Sequence, residues 1–216
     1  MSNKLRPLDE VIRDSTTLMY GPYNSEEACR RILQLAFRDA VRIIDLTFAH
    51  KGFWNLSKLP PGILLYMNDI DPSADTHSHE DFTNLSFRNN SFDVAVFDPP
   101  HVADGGRGSI MGTRFGTIKT TKALENLIQL GAQEAWRISK VGIIVKVTDH
   151  SHGGEFLIQS DWVKEVIPVR PYFVMHTYRS TYVRDGKHRQ ERVPRSNGAT
   201  YLVFRKDGHK HISFGG

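Results

Sequence analysis

The 216-residue chain holds one cysteine, Cys29. An intramolecular disulfide is therefore excluded, as is a zinc centre built on clustered cysteines. Nowhere does the sequence run for about 18 apolar residues, the length that reads as a bilayer-crossing helix. The opening residues, Met1-Ser2-Asn3-Lys4-Leu5-Arg6, lack the apolar core of a secretory signal. A disulfide scaffold, a membrane-spanning protein and a plainly secreted one are set aside, and a cytoplasmic location is the expectation. Three motifs are missing as well: Gly-x-x-x-x-Gly-Lys-Ser/Thr, Gly-x-Ser-x-Gly and His-Glu-x-x-His. Their absence argues against a P-loop kinase and a serine hydrolase. There is no internal repeat and no long low-complexity linker.

What is present is ordinary in bulk and uneven in detail. Apolar residues make up 39% and charged residues 24%, the proportions of a globular chain large enough to bury its own core. The length predicts a single domain over 1–216. The net charge is +4. Residues 170–216 carry ten Lys/Arg against three acids, a local excess of +7, so the remainder is slightly acidic. A basic C-terminal quarter fits an anionic partner, most simply nucleic acid, or else a solvated surface.

Apolar strand-like runs alternate with helical stretches. Ser25 reads as an N-cap, with Glu26 and Glu27 in the first turn and Ala28, Ile32, Leu33, Leu35 and Ala36 at helical spacing. Strands are predicted at 41–46, 63–67, 92–97 and 141–147, and a helix at 121–138. Nearly continuous apolar strands between helices indicate a parallel sheet covered on both faces. Two further strands are predicted at 173–178 and 200–204. The basic connection between them, centred on 180–198, is longer than a hairpin needs. Residues 1–40 read as a helical lead-in.

Three strands end in an acid: Asp45, Asp69 and Asp98. In open α/β sheets ligands bind outside the carboxyl ends of strands. Acids there can receive ribose hydroxyls, an amino group or a cation, although one alone is often only a helix cap. The most specific signal is Asp98-Pro99-Pro100-His101. Two prolines after a buried strand fix the backbone and remove two N–H donors. A carboxylate is left beside acceptor carbonyls, with a flat ring alongside. That set suits an NH₂ group, held by Asp98 and the Pro99 carbonyl so that its lone pair points at an electrophile. His101 can stack on a base or hydrogen-bond to it.

These residues resemble the amino-methylating branch of the class I S-adenosylmethionine-dependent methyltransferases, including its DNA methyltransferases. That branch carries an Asp/Asn-Pro-Pro-aromatic box. The approach Ser91-Phe92-Asp93-Val94-Ala95-Val96-Phe97 is similar too, as are Asp69-Ile70-Asp71-Pro72, the 80–87 segment and the 134–143 passage. The likeness runs in order over about residues 20–206. It implies a three-layer Rossmann-like sandwich: a mostly parallel seven-stranded sheet with an antiparallel C-terminal strand. It also implies S-adenosylmethionine as cofactor. Asp45, Thr47, Phe48, Ala49 and Gly52 would form the cofactor loop, Asp69 and Ile70 would hold the ribose, and Asp81 and Phe82 the adenine. Asp98, Pro99, Pro100 and His101 would be catalytic. The loop departs from the family's glycine-rich pattern, since between Asp45 and Trp54 only Gly52 is glycine.

The resemblance implies methyl transfer to an exocyclic amine of a nucleic-acid base, adenine N6 or cytosine N4 in DNA being the leading expectation. RNA is one alternative. A methyltransferase fold that binds nucleic acid without catalysis is another, and a small-molecule methyltransferase a third. No separate target-recognition domain fits this length, so Arg107 and Arg114 in the glycine-rich 103–118 loop and Arg184, Lys187, Arg189, Arg192 and Arg195 are the candidate nucleic-acid contacts. A second subunit, as in a homodimer, could also supply them. Three His-x-His pairs, at 77/79, 150/152 and 209/211, each place two rings on one strand face. A catalytic metal needs a third ligand, and no metal is expected.

Overall fold

Helical and alternating periodicity meet in one sheet here, and a computed structural model describes residues 17–48, 53–56, 59, 61–102, 118, 120–152, 154–178 and 198–207. In chain order the elements are β1 (Thr17–Gly21), α1 (Ser25–Ala36), β2 (Arg42–Asp45), β3 (Leu64–Met67) and β4 (Phe92–Phe97). Then come α2 (Thr121–Ile138), β5 (Ser139–Val147), β6 (His150–His152), β7 (Glu155–Leu157), α3 (Gln159–Val166), β8 (Phe173–Tyr178) and β9 (Gly198–Arg205). Seven strands form one sheet in the order β1-β8-β9-β5-β4-β2-β3, and β6 and β7 form a separate hairpin. Only β9 runs antiparallel to its neighbours in the large sheet. The chain thus has the expected Rossmann-like α/β architecture, a mostly parallel seven-stranded sheet flanked by helices.

Strand alternation explains the layers. Side chains of a strand point to opposite faces in turn. Ile44, Ala95, Phe97, Ile143, Val145, Leu202 and Phe204 face one core, packed by α2 and by Val163 of α3. Ile43, Val94, Val96, Ile144, Tyr201 and Val203 face a second core, packed by α1 with Phe48, Phe53 and Trp54. Helix α2 lies close to the sheet at Gly131, where an added Cβ would fall 2.3 Å from Phe97 and 2.8 Å from Phe82.

Two local expectations are corrected. The N-cap of α1 is Asn24, not Ser25: its side chain accepts a 2.8 Å hydrogen bond from the Glu27 N–H. The lead-in is not wholly helical, because Thr17–Gly21 is a strand, pairing in parallel with β8 from Thr17 against Phe173 to Gly21 against Thr177. This strand, the β6–β7 hairpin and α3 are absent from the sequence reading.

The segment before β4 is pinned without a strand. Glu134 accepts from the Leu85 N–H, and Arg137 donates to the carbonyls of Leu85 and Phe87. Those two α2 side chains thereby fix the approach to β4, and so the position of Asp98 at its end. No helix among the described residues is long and apolar enough to cross a membrane.

Candidate functional site

From β2 the chain passes to β3 on one side and then returns to β4 on the other. The carboxyl ends of β2 and β4 therefore flank the point where the winding direction changes, where open α/β sheets form their ligand crevice. Asp45 ends β2 and Asp98 follows β4. They are joined through Thr47, whose N–H donates to Asp45 Oδ1 at 2.9 Å and whose hydroxyl accepts from the Asp98 N–H at 2.9 Å. The Leu46 N–H donates to the Val96 carbonyl, continuing the ladder up to this junction.

Asp45 is buried, and its second oxygen accepts from the Trp54 indole at 2.7 Å. Burial pushes its carboxyl up to about 7. The Thr47 amide and Trp54 indole oppose that rise, and the nearby Asp98 and Asp69 add to it. With both oxygens engaged, Asp45 ties Thr47 and Trp54 to the end of β2. Asn68, just past β3, is a second organiser: buried, it donates to the Leu46 and Glu80 carbonyls and accepts from Ser78 and the Glu80 N–H. Its own carbonyl accepts from the Phe48 N–H. The ends of β2, β3 and β4 are thus tied into one platform.

Asp98 stands on that platform with its side chain 21% exposed. Lys146 of β5 donates to its Oδ2 at 2.8 Å. His101 Nε2 lies 3.0 Å from Oδ1, within ion-pairing reach. Burial works to raise the Asp98 carboxyl, and His101 and Lys146 outweigh it, holding the group below its ordinary value. Asp98 Oδ1 and His101 Nδ1 are buried polar atoms with no hydrogen-bond partner. Leaving such an atom unsatisfied costs about 1–3 kcal/mol, and unsatisfied atoms in a crevice mark where a ligand's complementary groups go. Pro99 and Pro100 are buried. Buried Gln159, at the start of α3, fixes the turn from beyond: it donates to the His101 carbonyl at 2.6 Å and accepts from the Thr148 N–H.

The structure brings Asp45, Thr47, Asp98 and His101 together. Phe48 and Phe82 are buried in the two cores, Phe82 against Phe97. Asp69 is buried at the end of β3, while the Ile70 side chain beyond it is exposed. Asp81 is exposed and holds the Thr83 amide and hydroxyl. Ala49, Gly52, Arg107, Arg114, Arg184, Lys187, Arg189, Arg192 and Arg195 lie outside the described residues. No three metal-ligating side chains gather among the described residues. Sequence reasoning missed Lys146, Asn68 and Gln159. For Lys146 a signal existed: a cation inside Ile143-Ile144-Val145-Lys146-Val147 demands a partner. Asn68 and Gln159 act through backbone groups and leave no pattern.

No family model matches the chain, and no curated protein matches it. Among solved structures it is similar to a SAM-dependent methyltransferase from Methanosarcina mazei, at 11% identity and a TM-score of 0.47, over 82% of this chain and 96% of that one. It is also similar to TrmN from Thermus thermophilus, at 14% identity and a TM-score of 0.47, over 86% of this chain. The alignment spans about half of TrmN, 49% of its length.

Proposed function

We propose that this chain transfers a methyl group from S-adenosylmethionine to an exocyclic amino group of a nucleic-acid base, with adenine N6 or cytosine N4 of DNA as the acceptor. The observation that carries this reading is Asp98 Oδ1, a buried acceptor with no hydrogen bond, 3.0 Å from the His101 ring, in an Asp-Pro-Pro-His turn at the switch point. The side chains fit the cofactor: buried Asp69 lies two residues past β3 and Asp98 follows β4, acids suited to ribose hydroxyls and to a cationic donor, while Asp45 holds Thr47 and Trp54 beside them. Asp69 would take the ribose, and the loop organised by Asp45 and Thr47 would line the other side.

When bound, S-adenosylmethionine supplies a methyl group on a sulfonium, whose carbon–sulfur electron pair leaves with sulfur. The chain's own task is alignment. Asp98 Oδ1 and the Pro99 carbonyl accept the two N–H groups of the amine, which turns its nitrogen lone pair toward the methyl. The ionised state of Asp98 matters twice, first as an acceptor and then as the group that takes the surplus proton. His101 lies against Asp98, placed to meet the base ring. A duplex target must be flipped out at a cost of a few kcal/mol. The basic residues 184–195 would offset that through phosphate contacts.

The test begins with thermal melting in S-adenosylmethionine and S-adenosylhomocysteine. Ligand at about 100 times its Kd adds roughly 2.7 kcal/mol, which for a chain of this size raises the midpoint by about 5–10 °C. Methyl incorporation into DNA and into RNA then identifies the acceptor. Asp98→Ala should lose at least about a hundredfold in transfer, the scale of one aligned catalytic group, and keep the melting shift. Absence of any shift defeats the cofactor assignment, and full activity in Asp98→Ala defeats the mechanism.

A further inference from the structure

Lys146 is a largely buried cation in β5, set among Ile143, Ile144, Val145 and Val147. Buried ion pairs are often replaceable by apolar residues without loss of stability, and the Asp98 backbone is already held by Thr47. Strand alternation puts Lys146 on the face of Ile144, with α1, Phe53 and Tyr201. Its side chain is 18% exposed, and Nζ sits 5.1 Å from the centre of the Phe53 ring. The hydrogen bond at 2.8 Å commits Oδ2 of Asp98, and Oδ1 is left with no hydrogen bond of its own, facing His101 Nε2 at 3.0 Å. The groups facing Asp98 are Lys146 from β5, His101 from its own turn, Asp45 from β2 and Tyr201 from β9. Lys146 is the group among them that hydrogen-bonds to the Asp98 carboxylate.

We infer that Lys146 is a positioning and specificity-determining residue of the methyl-acceptor site: it holds Asp98 in one orientation, with Oδ1 alone offered to the acceptor, and cancels its charge, so that the site takes an uncharged amino group and rejects an alkylammonium ion. This rests on the methyl-transfer reading above. Amino groups on nucleobases are neutral at pH 7, whereas alkylamines with the ordinary lysine value near 10.4 are cations. A lone Asp98 carboxylate would attract the cation, and the Asp98–Lys146 pair does not. The pair also sustains the acceptor at acidic pH, because the ammonium favours the ionised carboxylate.

Three variants separate the parts of this role. Lys146→Arg keeps charge and donor, Lys146→Gln keeps a donor without charge, and Lys146→Met keeps neither. The carboxyl ¹³C signal of Asp98, followed by NMR against pH in the full chain, reads the pairing without catalysis. Its midpoint should rise by about one pH unit or more in Lys146→Met and Lys146→Gln, and return toward the parent value in Lys146→Arg; one unit is tenfold in the ionisation equilibrium. In transfer assays to the nucleic acid, the acid limb of kcat/KM should move up with that midpoint, while the Kd for S-adenosylmethionine stays within about twofold. n-Butylammonium should inhibit Lys146→Gln and Lys146→Met at least about tenfold more tightly than the parent. An unchanged Asp98 midpoint, or an unchanged pH profile and inhibition in an active protein, overturns the inference alone. A parent protein that binds the cofactor and methylates no amine overturns the acceptor reading, and this role with it.

Discussion

The chemistry of single residues makes the switch point legible. An acid after an apolar strand, and two prolines after another acid, told where to look. What the sequence could not say is how each acid is used. Asp45 reads as a cofactor residue, yet its oxygens are spent on Thr47 and Trp54, nine residues away at most. Its titration carries a signed consequence. The folded carboxyl binds its proton more tightly, at about 7 against an ordinary 3.8. Between those values the native state holds the extra proton, so this group's contribution to stability falls as pH rises from about 4 to 7. The slope is at most about 1.4 kcal/mol per pH unit for one proton. Denaturant unfolding from pH 4.5 to 8.5 checks it: Asp45→Asn should gain relative to the parent as pH rises across that window. Parallel stability curves would refute the assignment.

At the scale of elements, the strands and helices with a clean period were readable nearly to the residue. Helix α2 was expected at 121–138 and spans Thr121–Ile138; β4 was expected at 92–97 and spans Phe92–Phe97. The missed elements share a cause. Helix α3 buries Gln159, Ser160 and Val163, so its inward face is two-thirds polar and shows no apolar stripe. Its start is set by Asp149, which accepts from the Ser160 amide and hydroxyl. The β6–β7 hairpin exposes Phe156 and carries two histidines, which hides its alternation. Strand β1 is five residues ending in Gly21-Pro22, and it reads as the loop before α1. Gly131 shows how helix propensity yields to packing. Alanine there would gain up to about 1 kcal/mol of propensity. Its Cβ would meet Phe97 and Phe82 well inside contact distance, and overpacking of this kind costs typically about 1–3 kcal/mol. Gly131→Ala should therefore lower stability by about 1–2 kcal/mol, read from the denaturation midpoint, and a stabilised variant would contradict the packing.

For the molecule as a whole, the order of assembly and the order of the sequence differ. The first strand pairs with β8, so Thr17 lies against Phe173, and the middle of the chain supplies the middle of the sheet. Strands β4 and β5 are buried from Val94 to Phe97 and from Gly142 to Val145. Edge strand β3 exposes Leu64, and edge strand β1 exposes Tyr20. Opening free energies in a domain track burial of the backbone ladder. Amide exchange should accordingly be slowest in 94–97 and 142–145 and at least about a hundredfold faster in β1 and β3, a gap of roughly 2.7 kcal/mol. Uniform protection across the sheet would contradict this. Asp98 follows one of these two protected strands and Lys146 lies in the other, which keeps the pair in register while the edges open.

The bond from the Trp54 indole to Asp45 gives the chain a built-in optical reporter. Indole emission responds to a charge at its N–H, and here the charge appears and disappears near neutral pH. The other two tryptophans, Trp136 in α2 and Trp162 in α3, pack against the opposite core. Replaced by phenylalanine, they leave a single emitter beside the switch point, so that the colour of one side chain follows the ionisation of Asp45.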